Sequence, residues 1–594
     1  MSSHTAIKQV TKSNFTPSLI RELKSHIDCC DFISLSSIKT ASATSASPWQ
    51  RRLLPFDTAE TAYLKAKLTA ESFQLLNVSI CPFRVEGSKV VAFPYNFHIF
   101  PREEVKMGLP SHSFSCQASY LESLAREGFD FNLCIYKGIS YLSRVQESLA
   151  RQTNPTPLDF RIYSKSSKSF ADSLFIEGIK SRIQYWRKTC LASDESPHGK
   201  TSNSLKMLIL GTQTYGKRPC MTIDVCSEHQ VNLVFQTIHG ISDSLVPLRV
   251  HDKGVIARSV QVVLTSSEED KSALLSDIQR AEEEQNFKLR GFREVIDLIS
   301  SSQKPIVSYN CLNDFTFIHE KFIAPLPPSM HEFACSLKMV FPEILDLGHL
   351  MKEIGPLKNA KNVSSAFSYL NRQLFLPIKL EVPFQGDKDA EKKNQGRNVL
   401  KITSLFAQIS QLLKFNPIEG HTNIFHPISR MELDAVSHQD DTINHATKQE
   451  EIAKWSTHNL VFIWGFNSTS SSNLKNQLKS YHPKFNEDFN LKIVDRNCAV
   501  AAFKRQGAVV ELLKEVEAGS SSIENMLSDG VRIAGFGAYK KICEIGLWDG
   551  ELADSLQTVM LSEHNKMHVS VENNTSEIYW DSKFMLDPNE YLEI

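Results

Sequence analysis

Apolar positions in the first part of the chain recur in two rhythms. The run Asp31-Phe32-Ile33-Ser34-Leu35-Ser36-Ser37-Ile38 opens with closely spaced large side chains and predicts a first buried strand. Leu75-Leu76-Asn77-Val78-Ser79-Ile80-Cys81-Pro82-Phe83 and Val90-Val91-Ala92-Phe93 predict neighbouring strands. Tyr95-Asn96-Phe97-His98-Ile99-Phe100-Pro101 alternates with period two until a proline stops it. Tyr120, Leu121, Leu124 and Ala125 fall at helical spacing ahead of Gly128. Phe170, Leu174, Phe175, Ile179, Ile183 and Trp186 predict an amphipathic helix that carries Lys180, Arg182, Arg187 and Lys188. Residues 192–204 read as a polar loop, and strands and helices follow over 205–263. One helix is expected over 271–302, a buried strand over 305–309, a charged loop over 386–396 and a second amphipathic helix over 399–413. From residue 459 the order becomes strand, helix, strand, strand, helix, strand, and there is no internal repeat.

Composition narrows this α/β reading. At 594 residues the chain spans two to four domains. Hydrophobic content of 41% and charged content of 22% fit a folded chain. No apolar run is long enough to span a bilayer, so no membrane segment is expected. Lys plus Arg (66) nearly equals Asp plus Glu (67), so an RNA site must be a local patch. Twelve cysteines include no CxxC pair, which points to a reducing compartment rather than to zinc or disulfides. The first ten residues have no apolar signal core, and no Arg- and Ser-rich organelle leader is evident. Cytoplasm, nucleus or both is the expected location, with an organelle as the open alternative.

Five sequence blocks carry a resemblance. In order they are Tyr95-Asn96-Phe97-His98-Ile99-Phe100-Pro101, Leu124-Ala125-Arg126-Glu127-Gly128-Phe129-Asp130-Phe131-Asn132, Gly291-Phe292-Arg293-Glu294-Val295-Ile296, Pro325-Leu326-Pro327-Pro328 and Phe341-Pro342-Glu343-Ile344-Leu345-Asp346. Together they resemble poly(A)-specific ribonuclease, a 3'-to-5' exonuclease family of the DEDD class, and its plant branch most. The resemblance implies a ribonuclease-H-like α/β nuclease core, a small inserted RNA-binding module and a C-terminal domain like an RNA-recognition motif. The expected boundaries are 1–165 and 256–430 for the core, 166–255 for the insert, 431–458 for a linker, 459–540 for the C-terminal domain and 541–594 for an extension.

The resemblance also implies two magnesium ions held by four carboxylates, with a histidine as general base. Two-metal phosphoryl chemistry needs that negative cluster across the scissile phosphate. At the matching positions this chain has Ser36, Ile38, Asp314 and Asn398, and Lys393 in place of the histidine. Only Asp314 keeps its carboxylate, and that residue equally fits a helix cap. Magnesium is therefore expected to be held weakly or not at all. Asp28, Asp31, Asp387, Asp389 and Glu391 are expected to lie outside the pocket. Lys393 fits a solvated loop charge or, as an alternative, a stand-in for a lost metal.

In the insert, no Arg-x-x-x-His signature occurs, and Lys180 and Arg182 are the candidate RNA contacts. In the C-terminal domain Val461-Phe462-Ile463-Trp464-Gly465-Phe466 fits the first signature strand, with Phe462 as the candidate stacking ring. The second signature places Cys498 and Val500 where surface aromatics are usual, and Ile493 where the family has its cap-binding tryptophan. Three readings follow: an impaired family member that binds RNA, including poly(A), or pairs as a homodimer or with a related nuclease; an active deadenylase; and a structural partner without RNA affinity.

Overall fold

Strand β1 (Lys8–Val10) is followed by β2 (Phe32–Lys39), β3 (Leu75–Glu86), β4 (Lys89–Ala92) and β5 (Tyr95–His98). The central strand β2 is buried on both faces over Phe32, Ile33, Ser34 and Leu35, as its dense apolar run requires. The computed structural model describes residues 7–41, 48–87, 89–101, 112–153, 169–192, 211–251, 258–354, 357, 360, 363–372, 379–383, 396–412, 456–466, 470–518, 521–548 and 550–569. They divide into two units, 1–41, 70–328 and 332–425 against 42–69, 329–331 and 426–594.

Within the first unit come β6 (Thr212–Tyr215), β7 (Arg218–Val225), β8 (Leu245–His251), β9 (Arg258–Leu264), β10 (Ile306–Ser308), β11 (Ile344–Asp346) and β12 (Lys379–Glu381). The large sheet runs β1-β5-β3-β2-β10-β11, with β4 on the far half of β3 and β12 on β4. The β2–β3 pair is antiparallel, whereas β10 joins β2 and β11 in parallel. The helix Arg397–Leu412 covers one face. Its Phe406 meets Phe32 edge-on at 5.0 Å, and Phe32 stacks on Phe83 at 5.4 Å. Burying a side chain of this size contributes roughly 1.5–3 kcal/mol.

Sequence periodicity gave one helix over 271–302, but there are two, Glu268–Arg290 and Arg293–Ser302. Gly291 divides them at φ +49°, and a Cβ there would lie 1.8 Å from the Ser140 carbonyl oxygen. Only glycine lets the two backbones approach so closely.

The inserted module is a four-stranded antiparallel sheet, ordered β6-β7-β9-β8. Ile179, Ile183 and Trp186 of the helix Phe170–Ala192 pack on one face with Phe235 and Ile238 of the helix Glu228–His239. Leu274 and Ile278 cover the other face. The expected boundary at 255/256 is therefore displaced: it falls between β8 and β9, which pair along their whole length.

In the second unit β13 (Leu460–Trp464), β14 (Phe489–Ile493), β15 (Cys498–Phe503) and β16 (Arg532–Gly535) form an antiparallel sheet ordered β14-β15-β13-β16. The helices Ser471–Tyr481 and Ala508–Glu517 lie in the two crossovers as expected, and a further helix, Ser521–Ser528, precedes β16. Leu474, Leu478 and Leu512 pack on one sheet face. The other face is covered by the helices Phe536–Ile545 and Leu552–Val569 and by Trp49, Leu54 and Phe56. Two further boundaries thus move. The cut at 540/541 divides a helix of this unit, and 42–69, assigned to the nuclease core by sequence, belongs here.

Candidate active site

Asp314 lies in the first turn of the helix Cys311–Ile318, whose N-cap is Asn310. It is not the cap. Its backbone N–H donates to the Asn310 carbonyl, and its carboxylate, in a residue only 7% exposed, turns to neighbouring side chains. Oδ1 accepts from Ser37 Oγ at 2.6 Å and from Lys39 Nζ at 2.7 Å. Oδ2 accepts from Ser308 Oγ at 2.6 Å. The helix, the end of β2 and the end of β10 thus meet at one carboxylate. The Lys39 side chain is 8% exposed, and its ammonium lies 5.2 Å from the Phe317 ring centroid.

Asp314 is reached from β2 not by Ser36 and Ile38 but by their alternating neighbours Ser37 and Lys39. Ser36 pairs with Ser79 across the sheet, Ser79 with Asn96, and Asn96 with Gln9. That row is neutral and hydrogen-bonded: Ser79 Oγ donates to Asn96 Oδ1 at 2.7 Å, and Asn96 Nδ2 donates to Gln9 Oε1 at 2.7 Å. Ile38 pairs with Asn77 and packs against Leu76, Leu124, Phe129 and Cys134. An alkyl side chain there completes a hydrophobic cluster and offers no ligand to a cation. Asn398 is exposed in the first turn of the helix Arg397–Leu412. Lys393, Asp387, Asp389 and Glu391 lie outside the described residues.

Sequence reasoning missed Lys39, and with it the two serines that complete the Asp314 cup. The signal was present as a lysine at the end of a strand that opens on four buried residues, where a buried charge needs a partner. It also missed Asp346, a second buried carboxylate whose β11 position is paired with Ser308. Asp346 caps the helix Leu347–Glu353 by accepting the His349 N–H at 3.2 Å. Together Asp346 and Asp314 add to the burial that pushes the Cys311 thiol pKa well up, so Cys311 is held as a neutral thiol.

Among the described residues, this donor set does not fit two magnesium ions. A pair of hard divalent ions needs many oxygen ligands, with several carboxylates to balance its charge. Among the described residues no group of three or more His, Cys, Asp or Glu side chains is arranged to hold a metal. The retained carboxylate already faces an ammonium at 2.7 Å. A unit-charge pair at 4 Å is worth ~4 kcal/mol at an effective dielectric near 20, so the repulsion from Lys39 opposes the attraction of Asp314 on the same scale.

The candidate RNA residues divide. Lys180 and Arg182 are exposed on the helix Phe170–Ala192, and Lys180 lies 3.8 Å from Glu177. Phe462 is a correction. It is fully buried, stacked on Tyr539 and edge-on to Phe56 at 5.2 Å. Cys498, Val500 and Ala502 lie on the same covered face, where small side chains leave room for these rings. The face that would stack bases is part of the unit's core.

A family model described as CAF1 family ribonuclease matches residues 10–495. A protein of Arabidopsis thaliana named Poly(A)-specific ribonuclease PARN-like is 40% identical, over 98% of this chain and 96% of its own. The Poly(A)-specific ribonuclease PARN of the same plant is 28% identical, over 96% and 90%. The Pre-piRNA 3'-exonuclease trimmer of Bombyx mori is 25% identical, over 67% and 66%. Among solved structures, the RNase domain of yeast Pop2 is 11% identical over 68% of this chain and 86% of that one, with a TM-score of 0.30.

Proposed function

This chain belongs to the CAF1 family of ribonucleases, and from that premise we propose that it is a catalytically impaired, poly(A)-specific ribonuclease-like protein of mRNA poly(A) tail metabolism. It retains the nuclease scaffold and acts by binding RNA or by pairing with itself or a related nuclease. One observation carries this reading. Both oxygens of Asp314 are engaged by protein donors, one of them the Lys39 ammonium. Ser36 and Ile38, at the positions that the resemblance assigns to two further carboxylates, supply a hydroxyl in a neutral row and an alkyl group in an apolar cluster.

The test is digestion of a 3'-adenylated RNA oligonucleotide by the purified full-length protein with magnesium. No trimming above background is expected. Processive shortening that disappears in Asp314→Ala overturns the reading. The alternative, an active divalent-metal-dependent 3' exoribonuclease preferring poly(A), draws its support from the 40% identity to the PARN-like relative over nearly the whole chain. The pairing is tested by light scattering at micromolar concentration together with pull-down of a related nuclease. A monomer that captures no relative removes that part of the proposal.

A further inference from the structure

We propose that Lys39 is a built-in counter-cation that substitutes for a metal ion beside Asp314 and makes this fold independent of divalent ions; the proposal rests on the reading of the core as a nuclease scaffold without its hydrolytic metals. Three elements converge on the Asp314 carboxylate. Ser37 and Lys39 come from the end of β2, Ser308 from the end of β10, and Asp314 itself from the helix Cys311–Ile318. All the donors lie at 2.6–2.7 Å. A cation bound to that carboxylate would join the same three elements.

The ammonium is placed for this role. Lys39 is a strand residue whose side chain is 8% exposed, so its charge is not solvated in the way of an ordinary surface lysine. Its stem is enclosed and its Nζ lies 5.2 Å from the Phe317 ring centroid, leaving Asp314 as its ion-pair partner among the described residues. One negative and one positive charge leave the cup neutral. The Ser37 and Ser308 hydroxyls now donate to the carboxylate, but a hydroxyl also carries acceptor lone pairs. With the ammonium gone, Asp314, Ser37 and Ser308 would form an oxygen-lined cup with a net negative charge, the chemistry that hard cations take. An ordinary buried ion pair makes a different forecast. Removing its lysine costs stability, but a small cation does not restore it.

Thermal melts of the full chain separate the two in EDTA, in MgCl2 and in KCl of matched ionic strength. Wild type is expected to melt at one temperature in all three. Lys39→Ala is expected to melt several degrees lower in EDTA and KCl and to recover part of that loss in MgCl2. Lys39→Arg should behave as wild type, and Lys39→Ala with Asp314→Asn should show no magnesium response. If Lys39→Ala does not fold, Lys39→Gln takes its place in the same series. Lys39→Ala, or Lys39→Gln in its place, melting identically in EDTA and MgCl2 overturns the proposal. So does a wild type whose melting rises in MgCl2 and loses that rise in Asp314→Asn. None of these measurements reads hydrolysis, so an active wild type in the trimming assay would sink the impaired-nuclease reading and leave the melts to judge Lys39.

Discussion

Phe462 stacks on Tyr539, with ring centroids 5.0 Å apart and planes 14° from parallel. The ring best placed by sequence to stack on a base is stacked on the protein's own core. Phe462→Ala is therefore expected to act on stability. Removing a fully buried phenylalanine typically costs ~3–5 kcal/mol. Denaturant melts should show that loss, while fluorescence anisotropy with an oligoadenylate, measured where the variant is folded, should give an unchanged affinity. An affinity that falls while stability holds would return Phe462 to the RNA surface.

The same face explains how far the sequence could be read. The β-α-β-β-α-β order from residue 460 was legible because each element keeps its own period. Cys498 and Val500 were legible as missing aromatics, but not what replaces them. Trp49, Leu54 and Phe56 are more than four hundred positions away in sequence, and no local rhythm announces that pairing. Asp314 could be located from Asn310 and the strand before it, yet its partners come from alternation along β2, where a shift of one residue exchanges Ser36 and Ile38 for Ser37 and Lys39. The Gly291 break is of another kind. A helical rhythm continues across it, and only the nearby Ser140 carbonyl shows why the helix must end.

The Asp57 carboxylate, with its side chain fully enclosed, accepts from Lys65 Nζ at 2.9 Å, from Tyr539 Oη at 2.6 Å and from Thr61 Oγ1 at 3.0 Å. Lys65→Met leaves that charge buried without its cation. A loss of ~3–5 kcal/mol is expected by denaturant unfolding, as for other broken buried pairs. Lys65→Met with Asp57→Asn should regain part of it, because the uncompensated charge is then gone. Equal losses in the single and double variants would mean that the pair acts through packing alone.

A pH dependence is expected from His319. Its Nδ1–H donates to the Ala324 carbonyl at 2.9 Å, and its Nε2 accepts from Ser336 Oγ at 2.8 Å, so the neutral ring is fully satisfied. Burial holds its proton affinity below the ordinary value, partly countered by the bond to Ala324. The unfolded chain takes up a proton near pH ~6.5, whereas the folded chain resists it to lower pH. This contribution is therefore complete above pH ~6.5 and is lost as pH falls below it, by at most ~1.4 kcal/mol per pH unit. Urea unfolding of wild type and His319→Gln between neutral and mildly acidic pH should show the steeper decline in wild type. Parallel declines would remove His319 as the source.

Restoring a metal site should require one more change than the resemblance alone demands. Ser36→Asp, Ile38→Glu, Lys393→His and Asn398→Asp supply the missing groups, but they leave the Lys39 ammonium 2.7 Å from the one original carboxylate. Calorimetric titration with magnesium should therefore show little binding by that four-change variant and clear binding once Lys39→Met is added. The added glutamate carries its own cost. Ile38 packs against Leu124, Phe129 and Cys134, and a carboxylate facing them without a metal costs several kcal/mol. Without magnesium the five-change protein should thus melt below wild type. Magnesium should raise its melting temperature, because an ion that binds only the folded state stabilises it in proportion to the logarithm of its saturation. Identical melts with and without magnesium would show that these positions do not form one pocket, and the assignment of Ser36, Ile38 and Asn398 to lost metal ligands would fall with it.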